Sequence, residues 1–275
     1  MSLSVNTNAG ALIALQNLTS TEAQLSATQN EVSTGLAISQ PSDNGAIWAI
    51  AQGQRSDSSA LDSVKQSLQR VQSTVDVATS AGTSVSDLLT QLKATALSAS
   101  DTSLNTNDRS ALNAQFTSVL SQITKVVSSA SFNGANLISH GASNLAALAN
   151  SDGTSQLTVV AQDLSLGGGN ITVTAGTTLS SATAAATALT AINSSITNVN
   201  NALAKLGSNS TALGDQLTFV SNLQDTINTG VGNLVDANLA AESAKLQALQ
   251  TKQSLGVQAL SIANSSSSAL LSLFR

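Results

Sequence analysis

At 275 residues the chain is long enough for one large or two ordinary domains, so it needs no covalent staples to fold. It has no cysteine, which excludes disulfides, thiolate metal sites and cysteine nucleophiles. With charged residues at 9%, aromatics at 2%, and 10 Lys plus Arg against 15 acids, it cannot assemble the basic clefts and stacking platforms that hold nucleic acid.

The chain opens Met1-Ser2-Leu3-Ser4-Val5-Asn6, without the basic and apolar regions of a secretory signal. Polar residues interrupt every apolar stretch, so no run of about 18 apolar residues exists to insert into a membrane. Leu18, Leu25 and Val32 recur at heptad spacing, helped by Leu12, Leu15 and Leu36, which predicts a helix that needs a helical partner. The lone Pro41 and lone Trp48 follow, in a stretch with Asp43-Asn44-Gly45 that predicts the end of this helix and a connector. Trp48 reads as a packing anchor there.

Three runs of apolar residues spaced alternately by three and four follow. The first is Leu61, Val64, Leu68, Val71, Val75, Ala78, Gly82, Val85, Leu89, Leu92 and Ala96, roughly 50 Å of helix. The second is Leu112, Phe116, Val119, Ile123, Val126 and Ala130, with Asn107-Asp108 expected to open it as a cap and a dipole-compensating acid. The third runs Leu189, Ile192, Ile196, Val199, Leu203, Leu206, polar Ser210, Leu213, Leu217, Val220, polar Gln224, Ile227, Val231 and Leu234. Each glycine inside it costs about 1 kcal/mol relative to alanine, so a break near Gly207-Ser208-Asn209 and one continuous helix both stay open.

Between the second and third runs the period changes to two. Leu157 and Val159, then Leu164, Leu166, Gly167-Gly168-Gly169, Ile171 and Val173, predict a small β-hairpin with a glycine turn. The triple glycine leads into another strand, so it reads as a plain turn and not as a phosphate cradle. At the C-terminal end Leu239, Leu246, Leu260 and Phe274, with Leu249, Ala263 and Leu270, repeat the heptad spacing of the N-terminal end. The neighbouring residues are Ala, Ser, Gln and Asn, which solubilise a free helix poorly, so both ends are expected to order when a partner buries their stripes. The fold class is mainly α: an elongated antiparallel helical coiled-coil bundle with a small β-hairpin region and paired terminal oligomerisation helices.

Catalytic chemistry finds no constellation. There is one histidine, His140, in a loop; the three glutamates and twelve aspartates are scattered, and no Gly-x-Ser-x-Gly elbow occurs. The chain is expected to be a structural protein, with no catalytic, cofactor-binding or metal-binding residues and no cofactor.

Several motifs resemble bacterial flagellin. Val5-Asn6-Thr7-Asn8, Ala14-Leu15-Gln16-Asn17-Leu18, Ser33-Thr34-Gly35-Leu36 and Phe132-Asn133-Gly134-Ala135-Asn136-Leu137 are similar to its N-terminal half. Val235-Asp236-Ala237-Asn238-Leu239-Ala240, Gln253-Ser254-Leu255-Gly256, Ala259-Leu260-Ser261-Ile262-Ala263-Asn264 and Leu271-Ser272-Leu273-Phe274-Arg275 are similar to its C-terminal half. The resemblance implies a self-polymerising subunit of the extracellular flagellar filament, exported through the flagellum's own channel without a cleaved signal peptide. It implies an inner coiled-coil domain from residues 1–40 and 236–275, a helical rod from 41–140 and 181–235, and a hairpin on the outer rod face at 141–180. Leu18, Leu25, Val32, Leu239, Leu246, Leu260 and Phe274 would form the polymerisation interface. Further implied partners are the export machinery and its chaperone, and junction and cap proteins. The sequence departs from the family at Ser265-Ser266-Ser267-Ser268, where many relatives carry Gln-x-Pro, and it lacks the His-Glu-x-x-His of protease-bearing relatives. Two other readings remain at this point, a hook-filament junction protein and a secreted helical adhesin.

Overall fold

The computed structural model describes residues 8–272, with side chains described through Ser265. In chain order the elements are α1 (Ala9–Thr34), α2 (Gly45–Ala99), α3 (Thr106–Ser129), β1 (Leu145–Leu148), β2 (Gln156–Val159), α4 (Ala182–Val235) and α5 (Leu239–Ser272). The chain divides into two compact units, Met1–Ser56 with Thr226–Arg275, and Asp57–Asp225. Both long helices, α2 of 55 residues and α4 of 54, contribute to both units. No helix among the described residues is long and apolar enough to cross a membrane.

The larger unit is built on the α2 stripe. Every apolar member expected from Leu61 to Ala96 is at most 8% exposed, because a 3-4 spacing keeps those side chains on one face of the helix. From α3, Phe116, Val119, Leu120 and Ile123 are buried, and Val127 takes the buried place expected of Val126. On α4 the expected Ile192, Val199, Leu206, Leu213, Val220 and Val231 are buried, and small residues join them in place of the expected Leu189, Ile196 and Leu203. Ala188, Ser195 and Ala202 are buried, while Leu189, Ile196 and Leu203 flank them half-buried. Small residues at the seam let the backbones approach, and larger neighbours close the edges. Gly82 on α2 is a case in point, since a Cβ there would lie 2.7 Å from Leu203 Cδ2.

Two further points are decided by the structure. The cap of α3 is Asn105, whose side chain accepts from the Asp108 amide at 2.9 Å, and not Asn107; Asp108 does sit in the first turn. The helix α4 runs unbroken through Gly207-Ser208-Asn209. Its seam residues Leu206, Leu213 and Val220 are at most 1% exposed, and burial on that scale outweighs the propensity cost of the glycines.

The hairpin is present with the expected strand at Leu157 and Val159, which is β2, and a different partner. β1 pairs antiparallel with β2, with Leu145 opposite Val159 and Leu148 opposite Gln156. Leu145-Ala146-Ala147-Leu148 reads as helix by composition and was not recognised as a strand; burial of Ala147 and Val159 at 0% and 1% overrides that propensity. The expected strands at 164–173 form only one isolated bridge, Leu166 to Ile171. The Gln162 and Leu164 amides donate instead to the Leu137 and Ile138 carbonyls, at 2.8 and 2.9 Å, which spends the backbone groups a wider hairpin would need. Gly167, with φ +75°, makes the turn, and its amide donates to the Val173 carbonyl. Upstream, Asn133 and Gly134 both have positive φ in a two-residue turn closed by reciprocal Phe132–Ala135 bonds of 2.9 and 3.0 Å.

The α2–α3 corner depends on one side chain. The Arg109 guanidinium donates to the backbone carbonyls of Ala99, Asp101 and Leu104, satisfying acceptors that the end of α2 leaves open. Arg109→Ala is expected to cost about 1.5–3 kcal/mol in urea unfolding, and Arg109→Lys to recover only part of it because an ammonium lacks the planar fork. Full recovery by lysine contradicts the bidentate role.

Candidate self-assembly interface

The smaller unit brings the two terminal helices together. α1 starts at its cap Asn8, whose side chain accepts from the Ala11 amide, and ends at Gly35, with φ +72°. Residues 35–38 then exchange backbone bonds with the α4–α5 junction: Ala37 N donates to Val235 O at 2.7 Å and Ala237 N to Gly35 O at 2.9 Å. Below that link Ala51, Val231 and Val235 form a small core covered by Leu36, Ile38, Ile47 and Ile227. The connector beyond is closed by Asp43, which accepts from the Ser39 and Gln40 amides at 2.9 and 3.0 Å. Those two amides hold its carboxyl below the usual range. Asn44 caps α2 through Ile47 N, so the helix stop and the connector lie where Pro41, Asp43 and Gly45 place them. Trp48 is half-buried.

α1 and α5 pack antiparallel. At one end Asn8 Nδ2 donates to the Ala263 carbonyl at 2.7 Å; further along, a Cβ on Gly256 would lie 3.2 Å from Leu18 Cδ1; then Lys245 Nζ stands 3.8 Å from Glu31 Oε2. The buried face of α1 is Leu18, Thr21, Leu25 and Thr28, and on α5 Leu249 is buried. Thr21 returns its hydroxyl to the Asn17 carbonyl, whereas the Thr28 hydroxyl, fully buried, finds no partner. An orphaned polar group of this kind costs about 1–3 kcal/mol, so the pair is weaker than an all-apolar seam.

The residues expected at the polymerisation interface separate into classes. Leu18 and Leu25 are buried between the helices of the same chain, at 9% and 8% exposure. Val32, Leu246 and Leu260 are half-buried, Leu239 is 49% exposed, and Phe274 lies outside the described residues. A second apolar set lies open: Leu12, Ile13 and Leu15 on α1, and Leu255, Val257 and Ile262 on α5, each 49–70% exposed. The antiparallel alignment gathers these six at the end of the pair near Asn8 and Ala263. Leu12 and Leu15 were visible as helpers of the heptad; Ile13, Leu255, Val257 and Ile262 were not singled out, because they sit off the heptad stripe. The signal that identifies them is that these helices carry apolar residues on two faces.

Charge on the pair is concentrated in one group. Lys245 bonds Glu242 at 3.0 Å. Burial and the neighbouring Glu242 carboxyl raise Glu31, while the Lys245 ammonium lowers Glu242 and is itself raised by it. Elsewhere, the exposed His140 ring meets the Asp163 carboxylate at 3.0 Å. Burial works to raise Asp163, but the Ser165 hydroxyl and amide and His140 outweigh it and hold it low. No group of three or more His, Asp or Glu suited to a metal occurs among the described residues. The best-formed hollows are open surface grooves, one of about 510 Å³ beside Val77 and Val126 and one of about 420 Å³ beside Asn30 and Asp43.

Because Glu31 is raised in the fold, its ionised form is the costly one: the cost is absent below the ordinary carboxylate range and grows as pH rises through the folded value. Glu31→Gln should therefore raise the melting temperature at pH 7 by on the order of 1 °C, with the gain vanishing near pH 4. An equal gain at both pH values contradicts a shared-proton cost.

Known proteins with this sequence pattern are specific. The bacterial flagellin N-terminal helical region matches residues 5–143 and the C-terminal helical region residues 189–274. Flagellin FljM of Caulobacter vibrioides is 54% identical over 272 residues, covering 99% of this chain and 98% of its own length. A flagellin of Brucella melitensis is 39% identical, with 99% of both chains covered. A solved structure described as a flagellar hook-associated protein from Vibrio parahaemolyticus shares the fold, with a TM-score of 0.56 at 15% identity, covering 70% of this chain and all of that one. The chain belongs to the bacterial flagellin family.

Proposed function

We infer that this flagellin, a structural subunit of the extracellular flagellar filament, polymerises by covering the open apolar faces of α1 and α5 with neighbouring copies. The observation that carries the reading is the cluster of Leu12, Ile13, Leu15, Leu255, Val257 and Ile262, all exposed in the single chain at one end of the helix pair. Six large apolar side chains held in water on two adjoining helices are an unfinished core. A subunit with few charges, of which only Lys252 lies within three residues of a member of that cluster in the chain, has little to oppose its burial.

In this reading Leu239 joins the intersubunit contact directly. Leu18, Leu25, Val32, Leu246 and Leu260 act by building the pair that presents it; Phe274 lies outside the described residues. The segments 1–40 and 236–275 would make the inner layer of the filament, 41–140 and 181–235 the layer around it, and 141–180 its outer face. Export through the flagellar channel without a cleaved signal, with a chaperone on the way and junction and cap proteins at the filament ends, completes the proposal. Nothing in the chain favours the junction-protein or adhesin readings: the 141–180 segment offers no cluster of exposed aromatic or charged side chains for a surface ligand.

Ile13→Asp and Ile262→Asp place a charge on the open face and leave the intrachain seam intact. Each should raise the critical concentration for seeded filament growth at least about a hundredfold while the helical circular dichroism of the monomer is unchanged. Filaments growing normally from either variant would overturn the assignment. Leu18→Asp should in contrast also lower monomer helicity, because it strikes the seam within the chain.

A further inference from the structure

The stretch Gly207-Ser208-Asn209-Ser210-Thr211 is a poor helix-forming run in the middle of α4, and Gly214 follows it. Packing does not require these glycines. A Cβ on Gly207 or Gly214 would meet nothing within 4 Å, unlike Gly82 of α2, where the space is taken by Leu203. A continuous helix that places two sterically unneeded glycines around a run of Ser, Asn and Thr is weak at that point by composition, yet α4 stays helical through it.

What accompanies the weak stretch is a set of polar ties to α2. Gln72 Nε2 donates to Ser210 Oγ at 2.6 Å and to Asp76 Oδ1 at 3.0 Å. About two turns further along α4, Gln216 Nε2 donates to the Ala149 carbonyl at 2.9 Å, while the adjoining Leu148 amide donates to Ser67 Oγ of α2, so the end of β1 is held by both helices. Then Gln224 accepts from Lys65 Nζ at 2.9 Å and donates to the Ser58 carbonyl and to Asp62 Oδ1 at 3.0 and 2.9 Å. Gln72 to Ser58 and Ser210 to Gln224 are each fourteen residues, so the outer ties match only when both helices are straight and in this alignment. A bend at Gly207 would displace Ser210, Gln216 and Gln224 together.

We propose that Gly207 is a latent hinge in α4, held straight by the polar ties of Gln72 to Ser210 and of Gln224 to Ser58, Asp62 and Lys65. Ser210 and Gln224, which interrupt the apolar stripe of α4, are on this account the residues that fix its alignment against α2. The hinge separates the part of α4 that bonds Thr172 through Ser195 and Ala191 from the part that carries the hairpin contact at Gln216. This goes beyond the assembly reading, and its test is made on the monomer, so failure of one leaves the other standing.

The chain has no cysteine, so Gln69→Cys with Thr218→Cys gives unique spin-label sites on α2 and on α4 beyond the hinge, and Thr90→Cys with Thr197→Cys gives a pair before it. Pulsed dipolar distance measurement on the otherwise unaltered full chain should give one narrow population for each pair. Gln72→Leu with Gln224→Leu should split the 69–218 distribution into two populations and leave 90–197 single. Adding Gly207→Ala, which the open space admits, should restore the single 69–218 population. If the double variant does not fold, Gln72→Leu alone is measured the same way and should broaden only 69–218. A distribution that stays single without the ties, or that Gly207→Ala fails to restore, refutes the hinge. So does a split on Leu213→Ala, which weakens the same seam without touching a tie.

Discussion

The structure depends on the burial of one continuous apolar stripe along each long helix. A helix of 55 residues with 9% charge across the chain has little else to stabilise it: isolated helical propensity is marginal, and long-range charge pairing is sparse. Wherever the stripe finds a partner within the chain, as from Leu61 to Ala96, the helix is settled by packing alone. Where it does not, as at the outer faces of α1 and α5, large apolar side chains stay in water, and the assembly we propose would cover them. On that proposal folding and assembly are one process carried out on different faces.

The two units meet this constraint differently. In the larger unit, small residues at the seam, such as Ala188, Ser195 and Ala202, allow close approach, and polar groups are used for alignment: buried Ser195 accepts the Thr172 amide through Oγ and half-buried Asn113 accepts the Leu179 amide. In the smaller unit the seam is short and imperfect. Thr28 is buried without a hydrogen-bond partner, and one cluster of Glu31, Glu242 and Lys245 carries the ionic contact between the helices. A seam of modest strength suits helices whose final surroundings include other subunits, because covering the open faces then contributes a large share of their stability.

Much of this was legible in the sequence, and the failures have physical causes. The α2 stripe was readable to the residue because its members are large and its spacing strict. On α4 the expected face holds at Ile192, Val199, Leu206, Leu213 and Val220, while a reading that favours Leu and Ile passes over Ala188 and Ala202, which also fill the seam. The glycines near 207 left a break open, and polar contacts between residues more than a hundred positions apart, invisible to local propensity, accompany a continuous helix. β1 was missed because Leu-Ala-Ala-Leu prefers helix until tertiary burial decides otherwise. At the termini the heptad located the helices and not their outward faces: the strict heptad residues Leu18 and Leu25 turn inward, and off-register Ile13, Val257 and Ile262 are the ones left in water.

The central claim is that the intrachain α1–α5 pair is retained in the filament and presents its outer apolar face to neighbours. The most direct measurement is a cryo-electron microscopy map of filaments grown from the unaltered chain, at a resolution that shows side chains. The account predicts Leu18 and Leu25 still facing Gly256 and Leu249 of their own chain, with Leu12, Ile13, Leu255, Val257 and Ile262 covered by adjacent subunits. A map in which α1 has left its own α5, with Leu18 and Leu25 buried against other subunits, would contradict it.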